Sequence, residues 1–249
     1  MNKVAIVTGS ASGIGAATAV ELSRRGWSVV VNCSKSLDAA NQVARQCADA
    51  IVVQADVGQD AECRRLAQAA LEQWGRIDAL VNNAGTTKFV PHPKLDYLSD
   101  DDFLRIYRVN VVAAFQMTRA CAPALKESRG AVVNVSSLAA FLGTGSSIAY
   151  AASKGALNTL TLSLARVLAP EVRVNAVQPG FVDTPWMSAG YGAERYSELS
   201  ARYAASAPLK STCKPEDIAE TICWLLEGAR QVTGETIFVD SGFHLATPR

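Results

Sequence analysis

Seven short apolar runs, rich in β-branched residues, alternate along this chain with longer segments rich in Ala and Leu. The spacing predicts strands at 4–8, 28–32, 50–53, 77–81, 131–135, 172–177 and 236–239. It predicts helices near 13–25, 37–47, 60–73, 100–127 (interrupted), 149–168 and 215–226. Val29-Val30-Val31 and Ala131-Val132-Val133 are apolar at every position, so both faces of those strands must be covered. Repetition of strand and helix then implies an α/β, doubly wound architecture: a mainly parallel seven-stranded sheet with helices on both faces. Gly26 and Gly75 close the first and third helices, and Pro170 stops the long helix before it.

The first strand runs directly into Thr8-Gly9-Ser10-Ala11-Ser12-Gly13-Ile14-Gly15, and the first helix begins there. Glycine permits a tight turn and a close main-chain approach, and the helix start offers unpaired N–H groups to an anion. Gly9, Gly13 and Gly15 are therefore expected to hold the pyrophosphate of a dinucleotide on a Rossmann fold, with Ser12 and Ile14 also among the expected cofactor contacts. The spacing is G-x-x-x-G-x-G, which differs from the commoner G-x-G-x-x-G. The second strand ends Asn32-Cys33-Ser34-Lys35, with no acid to grip ribose hydroxyls. Ser34 and Lys35 favour a 2′-phosphate, hence NADP(H), with NAD(H) as the other possibility; the alternative for Lys35 is a solvated surface lysine.

Residues 1–249 are long enough for one such domain, and an apolar share of 49% excludes wholesale disorder. The segment 181–208 is long for a connection and holds several aromatic residues. It reads as a substrate lid, as a pair of surface helices, or as both. With 24 basic and 23 acidic residues and no basic stripe, neither nucleic acid nor an anionic membrane is an expected partner. Six scattered cysteines and two histidines lack metal-ligand spacing, so no metal is expected. No apolar run reaches membrane-spanning length and the start lacks a signal-peptide pattern, so a cytoplasmic location is expected.

Tyr150 and Lys154 stand one helical turn apart, on one face. A phenol has a reference pKa of about 10, and a close cation favours the phenolate. Lys154 is thus expected to draw Tyr150 toward the range useful for moving a proton on and off a carbonyl oxygen. Ser137, just past the strand 131–135, can hold the same oxygen.

With these motifs, Asn82-Asn83-Ala84-Gly85, Asn110 and Pro179-Gly180-x-x-x-Thr184, the chain resembles the short-chain dehydrogenase/reductase family over nearly its whole length. Within it the likeness is to bacterial 3-oxoacyl-thioester (acyl-carrier-protein) reductases. The resemblance implies a catalytic group of Asn110, Ser137, Tyr150 and Lys154, with Asn110 helping to hold a water that links Lys154 to solvent. It implies that Asp56 and Val57 meet the adenine and that Asn83, Ala84 and Gly85 line the cofactor. Tyr150 and Lys154 would also touch the cofactor, and Pro179, Gly180, Val182 and Thr184 would flank the nicotinamide. It further implies homotetramers or homodimers.

The expected function is hydride transfer between NADP(H) and a small-molecule carbonyl or secondary alcohol. Ser137, Leu138, Phe141, Tyr150, Trp186 and Met187 are the expected substrate contacts, with Phe89 and Leu142 nearby. The alternatives are an NAD-dependent alcohol, sugar or steroid dehydrogenase and a non-catalytic dinucleotide-sensing protein.

Overall fold

The computed structural model describes residues 2–246. In chain order the elements are β1 (Val4–Val7), α1 (Gly13–Arg24), β2 (Ser28–Cys33), α2 (Leu37–Ala44), β3 (Ala50–Gln54), α3 (Asp60–Trp74) and β4 (Ala79–Asn82). There follow α4 (Asp100–Tyr107), α5 (Ala113–Ser128), β5 (Ala131–Val135), α6 (Ala139–Leu142), α7 (Ile148–Leu168) and β6 (Arg173–Pro179). The last are α8 (Pro185–Tyr191), α9 (Ala193–Ser206), α10 (Pro215–Glu227) and β7 (Thr236–Val239).

The strands pair in parallel throughout, in the order β3-β2-β1-β4-β5-β6-β7. Alternate residues of one strand feed two different cores, as the period of two requires. Ala5, Val7, Val29, Val31 and Val133 pack with Leu22, Ala40, Ile218 and Ile222, from α1, α2 and α10. Val4, Ile6, Val30, Leu80 and Val132 pack with Leu66, Met117, Leu125 and Leu164, from α3, α5 and α7. This is why the strands read as unbroken apolar runs. The sheet order reverses between β1 and β4, so the loops after these strands part and leave a crevice at their C-terminal ends.

All seven expected strands form, with small shifts. β4 starts at Ala79 rather than residue 77, and β6 runs on to Pro179, pairing with Val239. α2 stops at Ala44, where tight turns from Gln46 N–H to Val43 O and from Cys47 N–H to Ala44 O replace the helix. The long 100–127 helix is interrupted: a π-turn over Arg108–Val112 separates α4 from α5. Residues 181–208 hold two helices, α8 and α9, parted by Gly192 at φ 79°. The four-residue helix α6 was not expected. Among the described residues no helix is long and apolar enough to cross a membrane.

One buried carboxylate joins the strands on either side of the crevice. Asp78, 6% exposed, accepts from Val4 N–H at 2.9 Å and from Arg76 Nε and Nη2 at 2.8 and 2.6 Å. Leaving a buried N–H unpaired costs about 1–3 kcal/mol. Asp78→Ala is therefore expected to lower stability by about that amount in urea unfolding, and Asp78→Asn, which keeps an acceptor for Val4, by less. Equal stability of Asp78→Ala and the parent chain would contradict this account of the β1–β4 seam.

Candidate active site

The loop after β1 is shaped by its own polar side chains. Ser10 Oγ donates to Val7 O at 2.7 Å and accepts from Asn32 N–H at 2.9 Å. Gly9 N–H donates to Asn32 Oδ1 at 3.0 Å. From the other side, Asn83 Nδ2 donates to Thr8 O and Gly9 O at 2.9 and 3.0 Å. Thr8 Oγ1 accepts from the N–H groups of Asn83 and Ala84, each at 3.0 Å. The ends of β2 and β4 thereby grip the loop between them.

Such close packing leaves no room for side chains. Gly9 has φ +61°, and a Cβ there would stand 2.9 Å from Ala84 Cα. A Cβ on Gly15 would overlap Asn83 Nδ2 and Gly9 O. Gly15 does not line the crevice as expected; it is packed beneath the loop, and its lack of a side chain lets α1 start against β4.

The crevice opens into a cleft of about 630 Å³. Gly9, Ser12, Gly13 and Ile14 line it, as do Ser34, Lys35, Asp56 and Val57. Asn83, Ala84 and Gly85 continue the wall to Ser137, Tyr150 and Lys154. Pro179, Gly180, Val182, Thr184, Trp186 and Met187 complete it. This elongated path, with a side-chain-free turn at a helix start, fits a dinucleotide. Asp56 also caps a turn, accepting from Gly58 N–H at 3.0 Å.

Besides Gly15, three more expected site residues do not line the cleft. Leu138 is buried with Phe181, Tyr203 and Ala207. Phe141 lies on the outer side of α6 with its ring edge against Phe238, 5.1 Å between centroids. Asn110 is buried in the π-turn, where Oδ1 accepts from Thr86 N–H at 2.8 Å. Its Nδ2 donates to Thr86 O and Ser153 Oγ at 3.0 and 2.9 Å. The side chain thus holds the loop after β4 against α7. Leu142 and Phe89 also lie off the cleft wall, and Phe89 packs on Trp186.

Other cleft residues escaped the sequence reading. Asn32, Thr86, Arg105 and Val109 are walls. Arg105 donates to Thr86 Oγ1 at 3.2 Å. Arg105 and Val109 are four apart on the helical run, a spacing that would have joined them to one face.

α7 positions Tyr150 and Lys154. Ser147 caps it, its hydroxyl accepting from Tyr150 N–H at 3.2 Å, so Tyr150 enters on the first turn. Lys154 follows one turn later, 4% exposed, and donates from Nζ to Val135 O at 2.7 Å. Nζ lies 5.6 Å from the centre of the Tyr150 ring.

The electrostatics differ from expectation. Burial pushes the Tyr150 phenol up to about 12; the Ser137 side chain pulls the other way, and Tyr191 adds a small upward push. Burial also draws the Lys154 ammonium down to about 8. The lysine is committed to a backbone carbonyl beneath the ring, and in the protein alone desolvation outweighs its attraction for a phenolate.

Comparison with known proteins agrees with this architecture. A family profile described as enoyl-(acyl carrier protein) reductase matches residues 9–244. A crystal structure of a short-chain dehydrogenase/reductase from Burkholderia xenovorans superposes with a TM-score of 0.91 at 47% identity, covering 98% of each chain. Ketoacyl reductase 2, assigned to the granaticin polyketide synthase of Streptomyces violaceoruber, is 42% identical across 97% of this chain and 96% of its own. A 3-oxoacyl-[acyl-carrier-protein] reductase of Synechocystis is 35% identical over 96% of both. With its sheet order, glycine loop and Tyr150–Lys154 pair, the chain belongs to the short-chain dehydrogenase/reductase family, oxidoreductases that use a nicotinamide dinucleotide on carbonyl and hydroxyl groups.

Proposed function

We propose that this protein is an NADP(H)-dependent carbonyl reductase in which Tyr150 is the general acid and base. The observation that carries the reading is the meeting of Tyr150, Ser137 and Lys154 on the same cleft as the glycine loop and Lys35. A bound nicotinamide dinucleotide supplies the hydride. Tyr150 donates its proton to the substrate oxygen as the carbonyl carbon gains that hydride, and the ketone becomes an alcohol. Ser137 holds the oxygen beside the phenol. Lys154, fixed by Val135 O, orients the nicotinamide ribose and places positive charge behind the phenol as it loses its proton. Asn110 is a positioning residue that fixes the loop after β4. Names among the relatives, ketoacyl and 3-oxoacyl reductases, support a carbonyl substrate.

Lys35 lies on the cleft wall beside Ser34, and among the described residues no carboxylate pairs with it. A free ammonium here suits a 2′-phosphate. The same reading includes a small-molecule substrate and a homotetramer or homodimer. Phe115, Leu162 and Val167 leave apolar surface open on α5 and α7, which a second copy could cover. A reducing, cytoplasmic setting suits six free thiols.

Tyr150→Phe is expected to cut turnover by about 10²–10⁴-fold while NADPH binding stays intact; near-normal turnover would remove the assigned role. Lys35→Ala is expected to weaken NADPH roughly ten- to a hundredfold and leave NADH little changed. Equal losses, read by fluorescence titration, would exclude the phosphate contact.

The depressed Lys154 gives a pH signature. Folded, it releases its proton near pH 8 rather than at its ordinary 10.5. Between those values the unfolded chain holds more protons, so stability rises with pH. The full gain is about 3 kcal/mol, and Lys154→Met should lack it. Urea midpoints of the two cofactor-free chains at pH 7.5 and 10 measure the difference. The raised Tyr150 acts in both chains and cancels. Parallel pH curves would contradict a buried lysine of this kind.

A further inference from the structure

The substrate end of the cleft carries an aromatic array that proton transfer does not need. Trp186, the second residue of α8, lines the cleft yet is 42% exposed. Its ring centroid lies 5.9 Å from that of Tyr150, with the planes tilted by 48°. It also meets Phe89 at 5.6 Å and 58°, and Phe89 meets Tyr191 edge-on at 4.8 Å and 78°. Four rings thus run in sequence from the acid–base group to the end of α8. Gly190 is the seat of this array, since a Cβ there would fall within the Phe89 ring.

The neighbours of Trp186 make the surface more selective. Ser137, Tyr150, Pro185 and Met187 are uncharged cleft walls. Lys154 Nζ donates to Val135 O, and Arg105 donates to Thr86 Oγ1. The faces of Trp186, Pro185 and Met187 therefore favour an apolar group on the part of a substrate that meets Trp186. Aliphatic and aromatic groups would gain alike from area, but an aromatic ring gains in addition from offset or edge-on pairing with indole. A half-exposed indole held by a second ring, which is itself seated on a helix glycine, offers a fixed face for that pairing.

We propose that the substrate is an aryl ketone, with its ring system against Trp186 and its carbonyl oxygen at Tyr150 and Ser137. Trp186 determines this specificity. Phe89, seated on Gly190, is a positioning residue that holds the indole at its angle. The proposal rests on the carbonyl-reductase reading, and the test separates the two.

Turnover with NADPH would be compared for methyl 2-naphthyl ketone and its decahydronaphthyl counterpart. Binding of 2-naphthamide and decahydro-2-naphthamide, which are not reduced, would be measured by calorimetry on the enzyme with NADP⁺. The parent enzyme is expected to prefer the aryl member of each pair by about tenfold. Trp186→Leu should bring both preferences to within about twofold, and Trp186→Phe should keep most of them. Gly190→Ala should erode the preference through KM rather than kcat. Unchanged NADPH binding in each variant shows that the fold is intact. Equal binding of the two amides to the parent enzyme, or a preference that survives in Trp186→Leu, overturns the proposal. Absence of turnover of both ketones with the amide preference intact supports ring selection and sinks the carbonyl-reductase reading instead.

Discussion

The clasp between Thr8 and Asn83 sets the geometry of everything above the sheet. A threonine hydroxyl takes two successive N–H groups from the end of β4, and an asparagine amide returns two bonds to the end of β1. These bonds cross the point where the strand order reverses, the one place where neighbouring loops diverge. Without them the glycine turn would have no fixed distance from the wall that bears Gly85, Lys154 and Tyr150. Asp78 does the same at the far end of these strands, so the seam is pinned at both ends.

Tyr150 and Lys154 show how burial and charge compete in one cleft. Desolvation alone raises a phenol and lowers an ammonium, and both shifts are present. Proximity along a helix does not guarantee that one group tunes the other: burial governs both shifts, while Lys154 Nζ donates to Val135 O. That bond nevertheless keeps the nitrogen below the ring. There it can act on any ligand that brings a hydroxyl or a positive ring to the same place.

Much of the architecture was legible in the residues. Val29–Val31 and Ala131–Val133 are buried on both faces, and only a parallel sheet covered twice asks for that pattern. The glycine loop was legible because its glycines solve local steric problems. Other features were hidden. Leu138 and Phe141 stand close to Ser137 in the chain, yet one turns into a small core and the other onto Phe238; sequence adjacency does not say which way a four-residue helix will face. The role of Asn110 depends on the widened turn around it, and no spacing rule marks such a turn. Arg105 was missed for a plainer reason: a charged residue on an amphipathic helix is by default assigned to solvent.

The π-turn at Arg108–Val112 has a bearing on how such a protein can diversify. Its i→i+5 bonding places an extra residue in one turn of an otherwise regular helix and so shifts the helical phase. Arg105 and Val109 before and within it face the cleft, whereas Met117, Cys121 and Leu125 beyond it face the sheet. The helical phase on one side is not inherited by the other. Mutational drift can therefore remodel the cleft-facing half without disturbing the half on which folding relies, and a single irregular turn separates what selection can vary from what it must keep.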